Sequence, residues 1–114
     1  MEQISVRRRD VWIAKVLFSD MSSFKIRPIL VLSSDDYNDI NPDIVGAAIT
    51  TYVGRDYTLS ITASDFDKEK LMDESAVRYD GLLKIDKSLL HKRAARVTEA
   101  FRKKLVMKIV GFLE

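Results

Sequence analysis

Hydrophobic positions in this chain fall in short blocks separated by polar turns, the spacing of a small β protein. Val11-Trp12-Ile13-Ala14-Lys15-Val16-Leu17 is rich in β-formers and predicts a strand, with a polar loop after it over Ser19–Ser23. Pro28-Ile29-Leu30-Val31-Leu32-Ser33 is apolar almost throughout, as in a strand buried on both faces. Its proline stands at the start, where a missing N–H does least harm. Asp35–Asp39 and then Asn41-Pro42-Asp43 carry turn chemistry. Ile44–Thr51 predicts a third strand, and its Gly46-Ala47-Ala48 implies close approach of another backbone. Gly54-Arg55-Asp56 turns the chain into Tyr57–Thr62, which alternates apolar with polar like a half-buried strand. The charged stretch Asp65–Lys70 reads as a helical turn or a loop. Ser75–Tyr79 predicts a fifth strand and Leu82–Ile85 a sixth.

The end of the chain changes period. Thr98 is placed as an N-cap with Glu99 in the first turn. Val97, Phe101, Leu105, Ile109 and Phe112 then recur on one side of a helix. Short strands at regular spacing followed by one helix predict a mainly β fold, a small barrel closed by that helix. With 114 residues and no linker or repeat, residues 1–114 read as one domain.

Composition narrows the chemistry. A hydrophobic fraction of 46% and a charged fraction of 32% are those of a globular chain. No apolar run approaches the roughly 18 residues of a membrane span, and Met1–Arg9 has no signal-peptide core. The expectation is a cytoplasmic protein with no membrane partner. The absence of cysteine removes disulfides, thiolate metal sites and cysteine nucleophiles. With His91 as the only histidine, neither a two-histidine acid–base pair nor a zinc site is expected, and no glycine loop cradles a phosphate. The prediction is no metal and no cofactor. Net charge is only +2, but the bases are sorted. Arg7, Arg8, Arg9, Lys15, Lys25 and Arg27 open the chain, the middle is acidic, and the end from Lys84 is basic again. Brought together, the two basic ends would make a polyanion-binding face; otherwise they are solvated surface.

Several blocks in order resemble the MazF/PemK family of toxin endoribonucleases, its Kid-like branch included. They are Arg8-Arg9-Asp10-Val11-Trp12, then Lys25-Ile26-Arg27-Pro28-Ile29-Leu30-Val31-Leu32-Ser33-Ser34-Asp35-Asp36-Tyr37-Asn38, then Ala47-Ala48-Ile49-Thr50-Thr51. Ser75-Ala76-Val77-Arg78-Tyr79-Asp80 and Ile85-Asp86-Lys87 follow. The resemblance implies an SH3-like barrel of the MazF/PemK/CcdB toxin type, a homodimer, and metal-independent cutting of single-stranded RNA. It also implies neutralisation by a cognate antitoxin protein. As catalytic residues it implies Arg27, Thr50, Arg78 and Asp80, and as RNA contacts Ser22, Lys25, Thr51 and Ser75. Phe24, Tyr52 and Tyr57 are candidates for base stacking.

RNA is cut when its own 2′-hydroxyl attacks the adjacent phosphorus and leaves a 2′,3′-cyclic phosphate. That needs a base at the 2′-oxygen, an acid at the 5′-oxygen and cationic donors for the phosphorane charge. Under the resemblance Arg27 clamps the phosphate, Thr50 hydrogen-bonds it, Asp80 is the base and Arg78 the acid or second clamp. Each has a structural alternative: Arg27 paired to an acidic turn, Thr50 an ordinary β-former, Arg78 and Asp80 a surface ion pair. Arg9 stands where the family has glycine, implying a different backbone there. The loop from Phe18 to Phe24 offers only Asp20, Ser22 and Ser23 in place of the family's acid, and Gly81-Leu82-Leu83-Lys84 departs from its pattern. The rival reading is therefore a catalytically weak or inactive module of the same fold that binds RNA or protein. A gyrase poison of this fold would need a C-terminal tryptophan, and Trp12 is the only one.

Overall fold

The computed structural model describes residues 5–17, 23–67 and 69–114. Six strands and two helices follow in the order β1 (Asp10–Leu17), β2 (Phe24–Val31), α1 (Asp35–Ile40), β3 (Asp43–Thr50), β4 (Thr58–Ile61), β5 (Ser75–Asp86), β6 (Leu90–Arg96) and α2 (Glu99–Leu113). The sheet is antiparallel with strand order β4-β5-β3-β2-β1-β6. Its two edges meet through the chain that follows β4. Phe66 bridges Val97, the Asp67 N–H donates to the Arg96 carbonyl at 2.7 Å, and the Thr98 N–H donates to the Asp65 carbonyl at 2.8 Å. This seam closes the sheet into the expected small barrel.

Alternation along the strands sorts apolar side chains to two faces. Val11, Leu30, Ala47, Ile49 and Val77 fill the interior, where Phe101 and Leu105 of α2 plug it. Trp12, Ala14, Ile29, Val31, Ile44 and Ile85 form a second cluster on the other face. A Cβ on Gly46 would lie 2.6 Å from the Leu30 carbonyl oxygen. The small residues of β3 are therefore used to bring β2 close within one chain.

Four sequence expectations change. Asp35–Asp39 is not a turn but α1, because the Ser34 side chain caps it, accepting from the Tyr37 N–H at 3.2 Å, with Asp35 and Asp36 in the first turn. The expected fifth and sixth strands are one strand, β5, continuous through Gly81. β6 was not expected: only Leu90 and Ala95 of its residues are buried, and His91, Lys92 and Arg93 hide the alternation. β2 starts at Phe24, which puts Pro28 mid-strand. It pairs with Ile13 of β1, while pairing to β3 begins only at Ile29, so no ladder bond is lost on that side.

The terminal helix follows expectation, with Thr98 accepting from the Phe101 N–H at 3.2 Å. Phe112 leaves the interior and meets Tyr57 edge-on, with ring centres 5.6 Å apart. Among the described residues no helix is long and apolar enough to cross a membrane.

The basic N-terminal run does not form a free cationic face. Arg7 lies 3.5 Å from Asp39, and Arg9 lies 3.7 Å from both Asp67 and Glu99. Arg9 also adopts φ 79°, the left-handed backbone that favours glycine, although an arginine stands there. Its N–H donates to the Val31 carbonyl and its guanidinium to the Val97 carbonyl, which hold it there. Next to it Asp10, 1% exposed, accepts from the Arg7 N–H, the Trp12 indole and Arg96. A carboxylate so buried needs all of these partners.

Candidate functional site

β2 has a neighbour on only one side until Ile29, so Arg27, opposite Ala14, stands open on the other. Its guanidinium donates to the Ile26 carbonyl at 3.0 Å and, among the described residues, meets no carboxylate. Among the described residues the acidic-turn alternative is not realised, and a cation that can fork onto a phosphate stands exposed on the strand. Thr50 ends β3 opposite Ala76, and its Oγ1 accepts from the Tyr52 N–H at 3.0 Å. That leaves the hydroxyl proton available for donation to a ligand.

Arg27 and Thr50 form a ridge shared by two clefts. The first, about 430 Å³, runs from Ile26 and Arg27 past Thr50, Thr51 and Ser75 to Leu71, Met72 and Asp73. The second, about 340 Å³, runs from the same ridge past Arg78 and Gly81 to Leu17, Leu82 and Leu83.

Arg78 reaches the second cleft because β5 bulges there. Ala47 pairs with Leu82 but Ile49 with Val77, so Arg78–Gly81 crowd opposite Ala48. Glycine allows this crossing: a Cβ at Gly81 would sit 3.1 Å from the Arg78 Cβ. Arg78 forks onto Asp80, with Nε 3.2 Å from Oδ1 and the terminal nitrogen 3.4 Å from Oδ2. The pair is thus both the surface ion pair considered above and, through Arg78, part of a cleft wall. Asp80 itself lines neither cleft.

The fold brings together Arg27 of β2, Thr50 at the end of β3 with Thr51 just after it, and Ser75 and Arg78 of β5 around the two clefts. Ser75 is buried, and its hydroxyl donates to the Asp73 carbonyl at 2.9 Å, which fixes the turn before β5. Lys25 is exposed on β2 but outside both linings. Ser22, with Asp20 and most of their loop, lies outside the described residues. None of Phe24, Tyr52 and Tyr57 lines a cleft; Tyr57 instead packs on Tyr79 and Phe112. Leu71, Met72, Asp73 and Gly81 belong to the site but were not expected, since an irregular segment and a bulge leave no periodic signal.

The carboxylates whose titration the fold displaces serve structure elsewhere. The Ser88 N–H and hydroxyl hold Asp86 below the usual range, and Arg102 does the same for Glu99. Among the described residues no three of His, Asp and Glu gather as a metal site.

Residues 7–113 match the sequence profile of the PemK-like, MazF-like toxins of type II toxin–antitoxin systems. No curated protein matches the chain by sequence. Solved structures agree in fold. A mycobacterial endoribonuclease in complex with its cognate antitoxin superposes with TM-score 0.75 at 18% identity, covering 97% of this chain and 95% of its own. The Mycobacterium tuberculosis toxin MazF-mt6 gives 0.70 at 22%, covering 90% and 93%. MazE–MazF from Deinococcus radiodurans gives 0.77 at 17%, covering 96% and 97%.

Proposed function

Since the chain belongs to the PemK-like, MazF-like toxin family of type II toxin–antitoxin systems, we propose that it is a metal-independent endoribonuclease that cuts single-stranded RNA. The observation that carries this is the ridge where the Arg27 guanidinium, which meets no carboxylate among the described residues, and the Thr50 hydroxyl stand between two clefts.

In this reading a phosphodiester lies on the ridge with its two neighbouring nucleosides in the two clefts. The 2′-oxygen attacks phosphorus as its proton passes to Asp80, the bond to the 5′-oxygen breaks, and Arg78 supplies the proton to that leaving oxygen. The products are a 2′,3′-cyclic phosphate and a 5′-hydroxyl end. Arg27 and Thr50 stabilise the charge on the non-bridging oxygens. Because Arg78 and Asp80 share hydrogen bonds across the fork, the proton left on Asp80 can return to Arg78 without crossing solvent.

The working form is a homodimer, and its cognate antitoxin inhibits by covering the clefts. The exposed apolar side chains Met107, Val110 and Leu113 on α2 support association with another protein surface. Light scattering at micromolar concentration gives the mass that tests the dimer.

Purified protein incubated in EDTA with a long, weakly structured RNA should give discrete cuts ending in cyclic phosphate. Arg27→Ala should lose these by roughly 100-fold or more. Intact RNA with both proteins, each folded, refutes the enzyme and favours a binding module. That second reading draws on the same fork, in which Asp80 and Arg78 occupy each other.

A further inference from the structure

The first cleft is polarised. At one end stand Arg27 and Thr50; at the other are Leu71, Met72 and Asp73. Met72 is 97% exposed, an apolar side chain held in water beside the cleft. Asp73 uses its carbonyl to accept from Ser75, while its carboxylate has no hydrogen-bond or ionic partner among the described residues. Among the described residues it is the only carboxylate in the lining of either cleft that contains Arg27.

An anionic group at this position works against a polyanion. A phosphate at the Asp73 end would face like charge and apolar walls, so the phosphate belongs at the Arg27 end. What fits the far end is the base of the adjoining nucleotide, its face on Met72 and Leu71 and its edge toward Asp73. A carboxylate only accepts hydrogen bonds, so it selects a base by its donors. Adenine and cytosine each offer one amino group on the Watson–Crick edge, and uracil one imino group. Guanine alone offers two parallel donors, N1–H and the N2 amino group, matched to both carboxylate oxygens.

We propose that the first cleft is a guanine-reading subsite next to the scissile phosphate, with Asp73 as the specificity-determining acceptor. The proposal deepens the ribonuclease reading and rests on it for the identity of the ligand. Asp73 takes no proton and acts only through recognition.

The test is equilibrium binding, which separates this subsite from catalysis. Fluorescent five-nucleotide RNAs carry one guanosine in a uridine background and 2′-O-methyl groups throughout, so that they cannot be cut. They are compared with the same RNAs carrying inosine, which lacks the N2 amino group. The full-length protein should bind the guanosine RNA roughly tenfold more tightly than the inosine RNA. Asp73→Asn should remove most of that difference while binding the inosine RNA about as well as the parent protein does. Equal binding of the two RNAs by the parent protein overturns the subsite, as does discrimination that survives in Asp73→Asn. Arg27→Ala should weaken both RNAs alike and keep their ratio. Failure of the ribonuclease reading is seen separately, as uncut RNA in the EDTA assay.

Discussion

Gly81→Ala is a sharp test of whether the β5 bulge serves the site. The new methyl would lie 3.1 Å from the Arg78 Cβ and 3.4 Å from the Ala48 Cβ. Ordinary carbon contacts start at about 3.5 Å, so Arg78 must retreat by about half an ångström. The cost in stability is small, because two terms oppose. Gly54 is the only described glycine with positive φ, so alanine is compatible with the backbone at position 81. Alanine there gains about 0.4–1 kcal/mol by restricting the unfolded chain, against about 1 kcal/mol for the tight contact. The urea midpoint should therefore move by well under 1 M. Activity is more sensitive: displacement of a catalytic group by about 1 Å can cost a hundredfold, so the cut rate should fall about tenfold. Gly111→Ala is the control, since a Cβ there meets nothing within 4 Å. It should raise stability by about 0.5–1 kcal/mol and leave cutting unchanged. Wild-type cutting by a folded Gly81→Ala would refute the claim that Arg78 must sit where the bulge puts it.

Two further outcomes follow from packing and charge. Gly46→Ala puts a Cβ 2.6 Å from a backbone oxygen, which cannot rotate away; it should cost roughly 2–3 kcal/mol, read as a fall of about 1 M in the urea midpoint. Glu99 is held below its ordinary pKa of 4.5, chiefly by the hydrogen bond from Arg102. Its stabilisation is complete above that value and is lost as pH falls through the lower folded-state value. Melting curves of wild type and Glu99→Gln should therefore be separated above pH 4.5 and converge as the pH falls below that value; a gap that persists in acid removes the argument.

The sequence carried the parts of the fold that have strong apolar patterning. β1, the buried half of β2, β3 and α2 were legible because Val, Ile and Leu recur at the period their burial demands. β6 was not, because its outward residues are charged and its inward ones few. α1 was hidden by Asp and Asn, which favour turns, although Ser34 followed by two acids is also how a helix begins. The site divides in the same way. Arg27, Thr50 and Arg78 stand on strands and came forward as residues, but that they meet depends on the register of three strand pairs and a bulge. Asp73 and Met72 belong to a segment without period, and only the folded chain shows what they face.

The seam of the barrel also orders events in time. It joins Phe66 to Val97 and anchors Thr98, which caps α2, to Asp65, and beside it the Arg9 guanidinium reaches the Val97 carbonyl across 88 residues. Loop closure over that distance comes after local pairing. During synthesis β2 and β3 emerge well before Phe101 and Leu105, which fill the barrel beneath them. A nascent chain therefore carries Arg27 and Thr50 on an unplugged sheet. The walls of the two clefts are therefore held in place only after Phe101 and Leu105 have been made, later in synthesis than the strand residues that line them.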